Sequence, residues 1–178
     1  SLDMGVSIWS DHVGARVADN ASTRQLSEYL GKTVRMAFIP DSSFRQVDRA
    51  FFSGDQRVGF ADGFPFLLTN IASLGELNQR LESPVQMKRF RPNIVISGES
   101  PYQEDDWGNV QIGDVNFALV KPCSRCVMTT IDEHGNKTRE PLLTLSKYRK
   151  NQHGICFGQN LVHLGQGKVS VGDEVEVG

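Results

Sequence analysis

Apolar and polar side chains alternate most clearly near the C-terminal end, where Val169 and Val171, then Val175 and Val177, recur two apart. A period of two places one side of an extended chain against a core, so residues 168–177 are predicted to form a strand. The same reading, with enrichment in β-branched and aromatic residues, gives strands at 34–39, 93–97, 110–112, 115–120 and 127–131. Val110-Gln111-Ile112-Gly113-Asp114-Val115 echoes Val169-Ser170-Val171-Gly172-Asp173-Glu174-Val175. In each, Gly-Asp interrupts a β-branched run, a turn or bulge signal between strands. Helical spacing is rarer. Residues 20–30 read as a helix that Asp19 or Asn20 can cap and Gly31 can close. Leu74, Leu77 and Leu81 share a helical face over 71–81, with Thr69 or Asn70 as cap. Leu142, Leu145 and Tyr148 do so over 141–150, with Pro141 in the first turn. Strands outnumber helices and are short, which predicts a mainly β, α+β fold: a β-barrel core with peripheral helices.

Composition narrows the class. The 178 residues suffice for one domain core, and an apolar fraction of 39% suits a globular chain. A net charge of −2 gives no electrostatic case for nucleic acid or an anionic membrane surface. Three cysteines do not make a secreted disulfide framework. With no signal-peptide pattern and no apolar run of about 20 residues, a cytoplasmic setting without membrane contact is expected. The chain opens at Ser1-Leu2 without a Met, which reads as a segment cut from a longer protein. Neither G-x-G-x-x-G nor G-x-x-x-x-G-K-[ST] occurs, so the usual nucleotide folds lose their main support.

The chemistry concentrates in a few stretches. In Pro122-Cys123-Ser124-Arg125-Cys126, two cysteines lie three apart. Arg125 beside Cys126 is expected to favour the thiolate, the form that attacks or binds metal. Four readings stay open: a redox pair, a structural zinc site completed by Cys156 and His153, a lone thiolate on a soft metal, or two inert buried thiols. A thioredoxin-type pair needs a strand-to-helix turn, whereas a strand is expected after Cys126. Phe90-Arg91-Pro92-Asn93 sets a planar guanidinium and an amide at the start of an apolar strand, suited to a phosphate or polar heterocycle. A surface ion pair and a turn-forming Asn would explain them equally. Asp62, in Phe60-Ala61-Asp62-Gly63, can accept from an amino-pterin edge or cap a turn. In Phe157-Gly158-Gln159-Asn160, Gly158 gives backbone freedom, and Gln159 and Asn160 can line a pocket or simply satisfy loop backbone. The four histidines have no metal-ligand spacing.

Taken together these stretches resemble the MOSC family, named for the molybdenum-cofactor sulfurase C-terminal domain, and most of all its YcbX-like and amidoxime-reducing types. Trp9-Ser10-Asp11, Glu104-Asp105-Asp106-Trp107 and Glu140-Pro141-Leu142 extend the resemblance from about residue 8 to 177. It implies a MOSC β-barrel similar to the pyruvate-kinase barrel domain, over residues 31–178. Residues 1–30 would be the tail of an N-terminal β region and a connecting helix. It implies a molybdenum cofactor ligated by Cys126, with Asp62, Arg91, Asn93, Ser124 and Arg125 contacting pterin or phosphate. Cys126 would thereby be the catalytic and metal residue, and Cys123 would have no ligand role. The implied activity is that of a bacterial molybdenum-dependent oxidoreductase that detoxifies N-hydroxylated bases or amidoximes by oxygen transfer. A non-catalytic sulfur-carrier or cofactor-delivery module is the alternative. Electrons would come from a reductase or from a C-terminal [2Fe–2S] ferredoxin domain, of which this chain carries nothing. Pyridoxal phosphate binding is implied only at the level of the family. Relatives have further phosphate contacts in the N-terminal region, so this chain alone is expected to hold the cofactor poorly and to be inactive.

Overall fold

A computed structural model describes residues 2–18 and 21–178. The expected caps Asp19 and Asn20 lie outside the described residues. By its contacts the chain forms two compact units, Ser1–Gly63 and Phe64–Gly178.

In the first unit, β1 (Leu2–Ile8) and β2 (Asp11–Ala18) form an antiparallel hairpin turning at Trp9-Ser10, and β3 (Met36–Phe38) pairs back on β2. Along β2, Val13, Ala15 and Val17 are buried and their neighbours are not, the period expected of a one-sided sheet. Helix α1 (Ala21–Leu30) stands between β2 and β3 and closes at Gly31, whose φ of 63° suits the left-handed position after a helix. The sequence sets a division after residue 30. The contacts set it after Gly63, because β3 returns to β2 and Gln46 bridges to Arg57, which keeps residues 31–63 with the hairpin.

The second unit is one sheet in the order β10-β6-β7-β9-β4-β5, with β8 paired to β9. Its strands are β4 (Phe66–Asn70), β5 (Ile94–Ile96), β6 (Asn109–Ile112), β7 (Val115–Ser124), β8 (Lys150–Asn151), β9 (Gly154–His163) and β10 (Val175–Val177). The six-strand path curls into a nearly closed barrel, as a mainly β MOSC fold requires. Leu68, Ile96, Val110, Ile112, Val115, Phe117 and Leu161 fill its inside. A second cluster, Leu77, Leu81, Phe90, Leu145 and Phe157, packs α2 (Ile71–Arg80) and α3 (Leu142–Leu145) on the outside, with Phe90 and Phe157 stacked at 4.0 Å. Asn70 caps α2 by accepting from the Ala72 amide. No helix among the described residues is long and apolar enough to cross a membrane.

Four expectations need correction. Residues 127–131 do not form a strand: Val127–Thr130 is a 3-10 turn, because Thr129 N and Oγ1 both donate to Cys126 O and Thr130 Oγ1 donates to Val127 O. The helix over 141–150 shrinks to α3, because Lys150 must be extended to pair with Ile155. Only the end of 168–177 is strand, since Gly172 and Asp173 turn the chain before β10. Phe157–Asn160 is not a loop but the middle of β9.

Candidate functional site

The cysteine stretch leaves the barrel at the end of β7. Its neighbour is β9, with Lys121 opposite Asn160, Pro122 opposite Gln159 and Ser124 opposite Cys156. The register shifts between Pro122 and Ser124, a bulge of the kind that re-aims side chains at a sheet's rim. Gly158 lets β9 follow: its φ is 78°, and a Cβ there would come within 2.5 Å of Leu68 O. Only glycine combines that backbone with that approach.

Two arginines tie this loop to the Arg91 stretch. Arg125 Nη2 donates to Phe90 O at 2.6 Å, and Arg89 Nε donates to Thr129 O at 2.9 Å. Phe90 ends the 3-10 turn Met87–Phe90, and Arg91 follows in the left-handed conformation, φ 54°. Asn93 then locks onto β4: its amide donates to Leu67 O at 3.0 Å and its Oδ1 accepts from Leu67 N at 2.9 Å. Leu67 faces Asn160, whose Nδ2 donates to Lys121 O. The fold therefore brings the stretches 90–93, 122–126 and 157–160 together. Asp62 belongs to the other unit. There Arg45, 5% exposed, donates to Asp11 and to the carbonyls of Gly59, Ala61 and Asp62, which fixes the segment and leaves the Asp62 carboxylate exposed.

The three thiols differ. Cys126 is exposed at the start of its 3-10 turn, and among the described residues its sulfur has no hydrogen-bond partner. Cys123 is half-buried, with Arg125 Nη1 at 3.0 Å from its Sγ. The guanidinium expected to serve Cys126 thus contacts the other sulfur, because its second nitrogen is held by Phe90 O. Cys156 is buried, and burial, then the neighbouring Cys123, push its thiol up from the ordinary range. It is a protonated core residue rather than a ligand. Among the described residues, no three His, Cys, Asp or Glu side chains are grouped to hold a metal. That leaves the zinc reading without a ligand set.

Donors remain uncommitted in the stretches connected to the Cys126 loop. The Arg91 side chain and the Ser124 hydroxyl are exposed and have no partner among the described residues, and Asn93 keeps its Nδ2 free after committing its oxygen. Behind them lies a support the sequence showed only as a motif. Glu104 is fully buried and accepts from Ser73 Oγ at 2.8 Å and Asn70 Nδ2 at 3.1 Å. Asp105 accepts from Gln159 Nε2 at 2.7 Å and pairs with Arg149 at 2.6 Å. These carboxylates pin Gln103–Asp106 to α2 and β9. Their spacing carries no periodic signal, and neither does Arg89.

The model of the MOSC domain family matches residues 55–176. The chain is 43% identical over 134 residues to human mitochondrial amidoxime-reducing component 1, covering 70% of this chain and 40% of that protein. The mouse protein of the same name is 42% identical over 143 residues, covering 75% and 42%. Molybdenum cofactor sulfurase of Oryza sativa subsp. japonica is 31% identical over 175 residues, covering 88% and 21%. The chain thus spans less than half the length of each of these relatives.

Proposed function

The chain belongs to the MOSC domain family, and on that premise we propose that it is the cofactor-binding domain of a molybdenum-dependent oxidoreductase that reduces N-hydroxylated compounds, with Cys126 as the protein's ligand to the metal. The observation that carries this reading is the exposed Cys126 sulfur, without a hydrogen-bond partner among the described residues, on a loop that Arg125 and Arg89 brace against the Arg91 stretch.

The residues fit a molybdenum cofactor. A chelating dithiolene needs one soft protein donor rather than a group of three, and an exposed thiolate is such a donor. Arg91 offers a planar fork for the cofactor's phosphate. Asn93 Nδ2 and the Ser124 hydroxyl offer neutral hydrogen bonds to the pterin. Arg125 acts from behind: it holds Cys123 and Phe90 in place and so positions the loop that carries Cys126. When bound, the cofactor supplies two-electron redox chemistry, through which the substrate's N–O oxygen is removed. The protein's share is to bind, orient and anchor, and electrons come from a separate reductase or ferredoxin-type donor.

A second reading has its own support. The sulfurase relative aligns over 88% of this chain, more than either amidoxime-reducing relative. A sulfur-carrying or cofactor-delivering module would use the same exposed thiol without turning over substrate. Reduction of an amidoxime and of a hydroxylaminopurine by the full-length protein, with a chemical electron donor, separates the two. Turnover lost in Cys126→Ala is the expected result. A fully loaded protein that reduces neither substrate would decide for the module.

A further inference from the structure

The barrel of the second unit has a seam. β5 and β10 end the six-strand path, and among the described residues β5 pairs only with β4 and β10 only with β6. A groove of about 1050 Å³ lies along them, lined by 93–99 on one side and 169–175 on the other.

The main chain of both edges is unspent. Leu67 turns both its N–H and its C=O to Asn93, so along β4 Thr69 also faces β5; with Leu68 opposite Ile94 in a parallel ladder, Ile94 and Ile96 face β4 and Val95 turns its N–H and C=O away. Gly178 N donates to Asn109 O, in register with Glu176 opposite Gln111, so Val175 and Val177 turn theirs away from β6. Such rows template a further strand. Apolar side chains stand exposed around the same groove: Ile71, Val95, Val171 and Val177 are each at least 46% exposed. An apolar patch on free strand edges, with a polar rim, marks a protein-binding surface. The lining also holds the carboxylates of Glu99, Asp173 and Glu174, and no lysine or arginine.

We propose that this seam receives an extended segment of a partner protein, alternating β-branched and basic residues, as an added strand that closes the barrel. Free N–H and C=O rows select an extended peptide over a helix, whose main chain is already paired. The carboxylates select lysine or arginine flanks. A second copy of this chain would bring Glu99, Glu174 and Glu176 against the same charges. The proposal does not depend on what is bound at Cys126.

The test uses the 178-residue chain and two capped, fluorescent octapeptides, one of alternating Val and Lys and one of alternating Val and Glu. The Lys peptide is expected to bind and to slow amide exchange at Val95, Val175 and Val177. The Glu peptide should bind about tenfold more weakly or worse, and Glu99→Lys combined with Glu174→Lys should weaken the Lys peptide by a similar factor. Both variants sit on exposed side chains, and circular dichroism should show the fold unchanged. Absence of protection at these three amides, or equal binding of both peptides, would overturn the proposal. So would a concentration-dependent dimer abolished by Val171→Asp, since the seam would then belong to a second copy.

Discussion

Two single residues carry more of the second unit than their size suggests. Gly158 sits where a Cβ would meet the Leu68 carbonyl, in a backbone that L-residues avoid. Gly158→Ala should therefore cost about 2–4 kcal/mol, from left-handed strain plus overpacking, read as a lowered urea midpoint. Glu104 is a buried carboxyl facing Ser73 and Asn70, with no ion-pair partner among the described residues. Burial raises it above the ordinary glutamate range, and the two hydrogen bonds only partly offset that. A folded-state value raised above the unfolded one gives stability that is fully present below about pH 4.3, the unfolded value, and is lost as pH rises through the folded value. Glu104→Gln mimics the protonated form, so its urea midpoint should lack that decline while matching the wild type near pH 4. Glu104→Ala should lose about 1–3 kcal/mol even there, because it strands the Asn70 and Ser73 donors. A Gln variant that declines with pH as the wild type does would refute this role.

At the scale of elements, side-chain bonds to the main chain decide what periodicity could not. Thr129 and Thr130 are β-branched and read as strand, yet their hydroxyls bond back to Cys126 and Val127 carbonyls and wind the segment into a 3-10 turn. That also removes the ground on which a redox pair was disfavoured, although a four-residue 3-10 turn is not the helix of a βαβ unit. β9 was hidden because Gly158, Gln159 and Asn160 interrupt its apolar run. Its flanks, Ile155-Cys156-Phe157 and Leu161-Val162, carried the signal. α1 and α2, by contrast, end within a residue of the sequence expectation, since apolar spacing and glycine or Asn caps coincide there. The Arg125 brace gives a prediction of its own. Arg125→Ala should destabilise the fold by about 1–3 kcal/mol by stranding the Phe90 carbonyl. A urea midpoint unchanged in Arg125→Ala would contradict the contact.

For the molecule as a whole, the barrel was legible from strand number and turn density, and the stretches that the second unit brings together were legible as separate motifs. Which side chains were spent was not legible. Arg125, Asn93 and the Glu104-Asp105 pair all bond within the second unit, and partner choice across a sheet follows from register, which no local pattern encodes. The division after Gly63 was hidden for the same reason, because β3 pairs with β2 across α1. The central claim is that one exposed thiol among three binds the metal. The direct measurement is molybdenum content of the full-length protein, expressed in cells that make the cofactor, as wild type, Cys126→Ala and Cys123→Ala. The account predicts molybdenum in the wild type and in Cys123→Ala, and its loss in Cys126→Ala alone. Molybdenum retained by Cys126→Ala, or zinc or iron in the wild type, would contradict it.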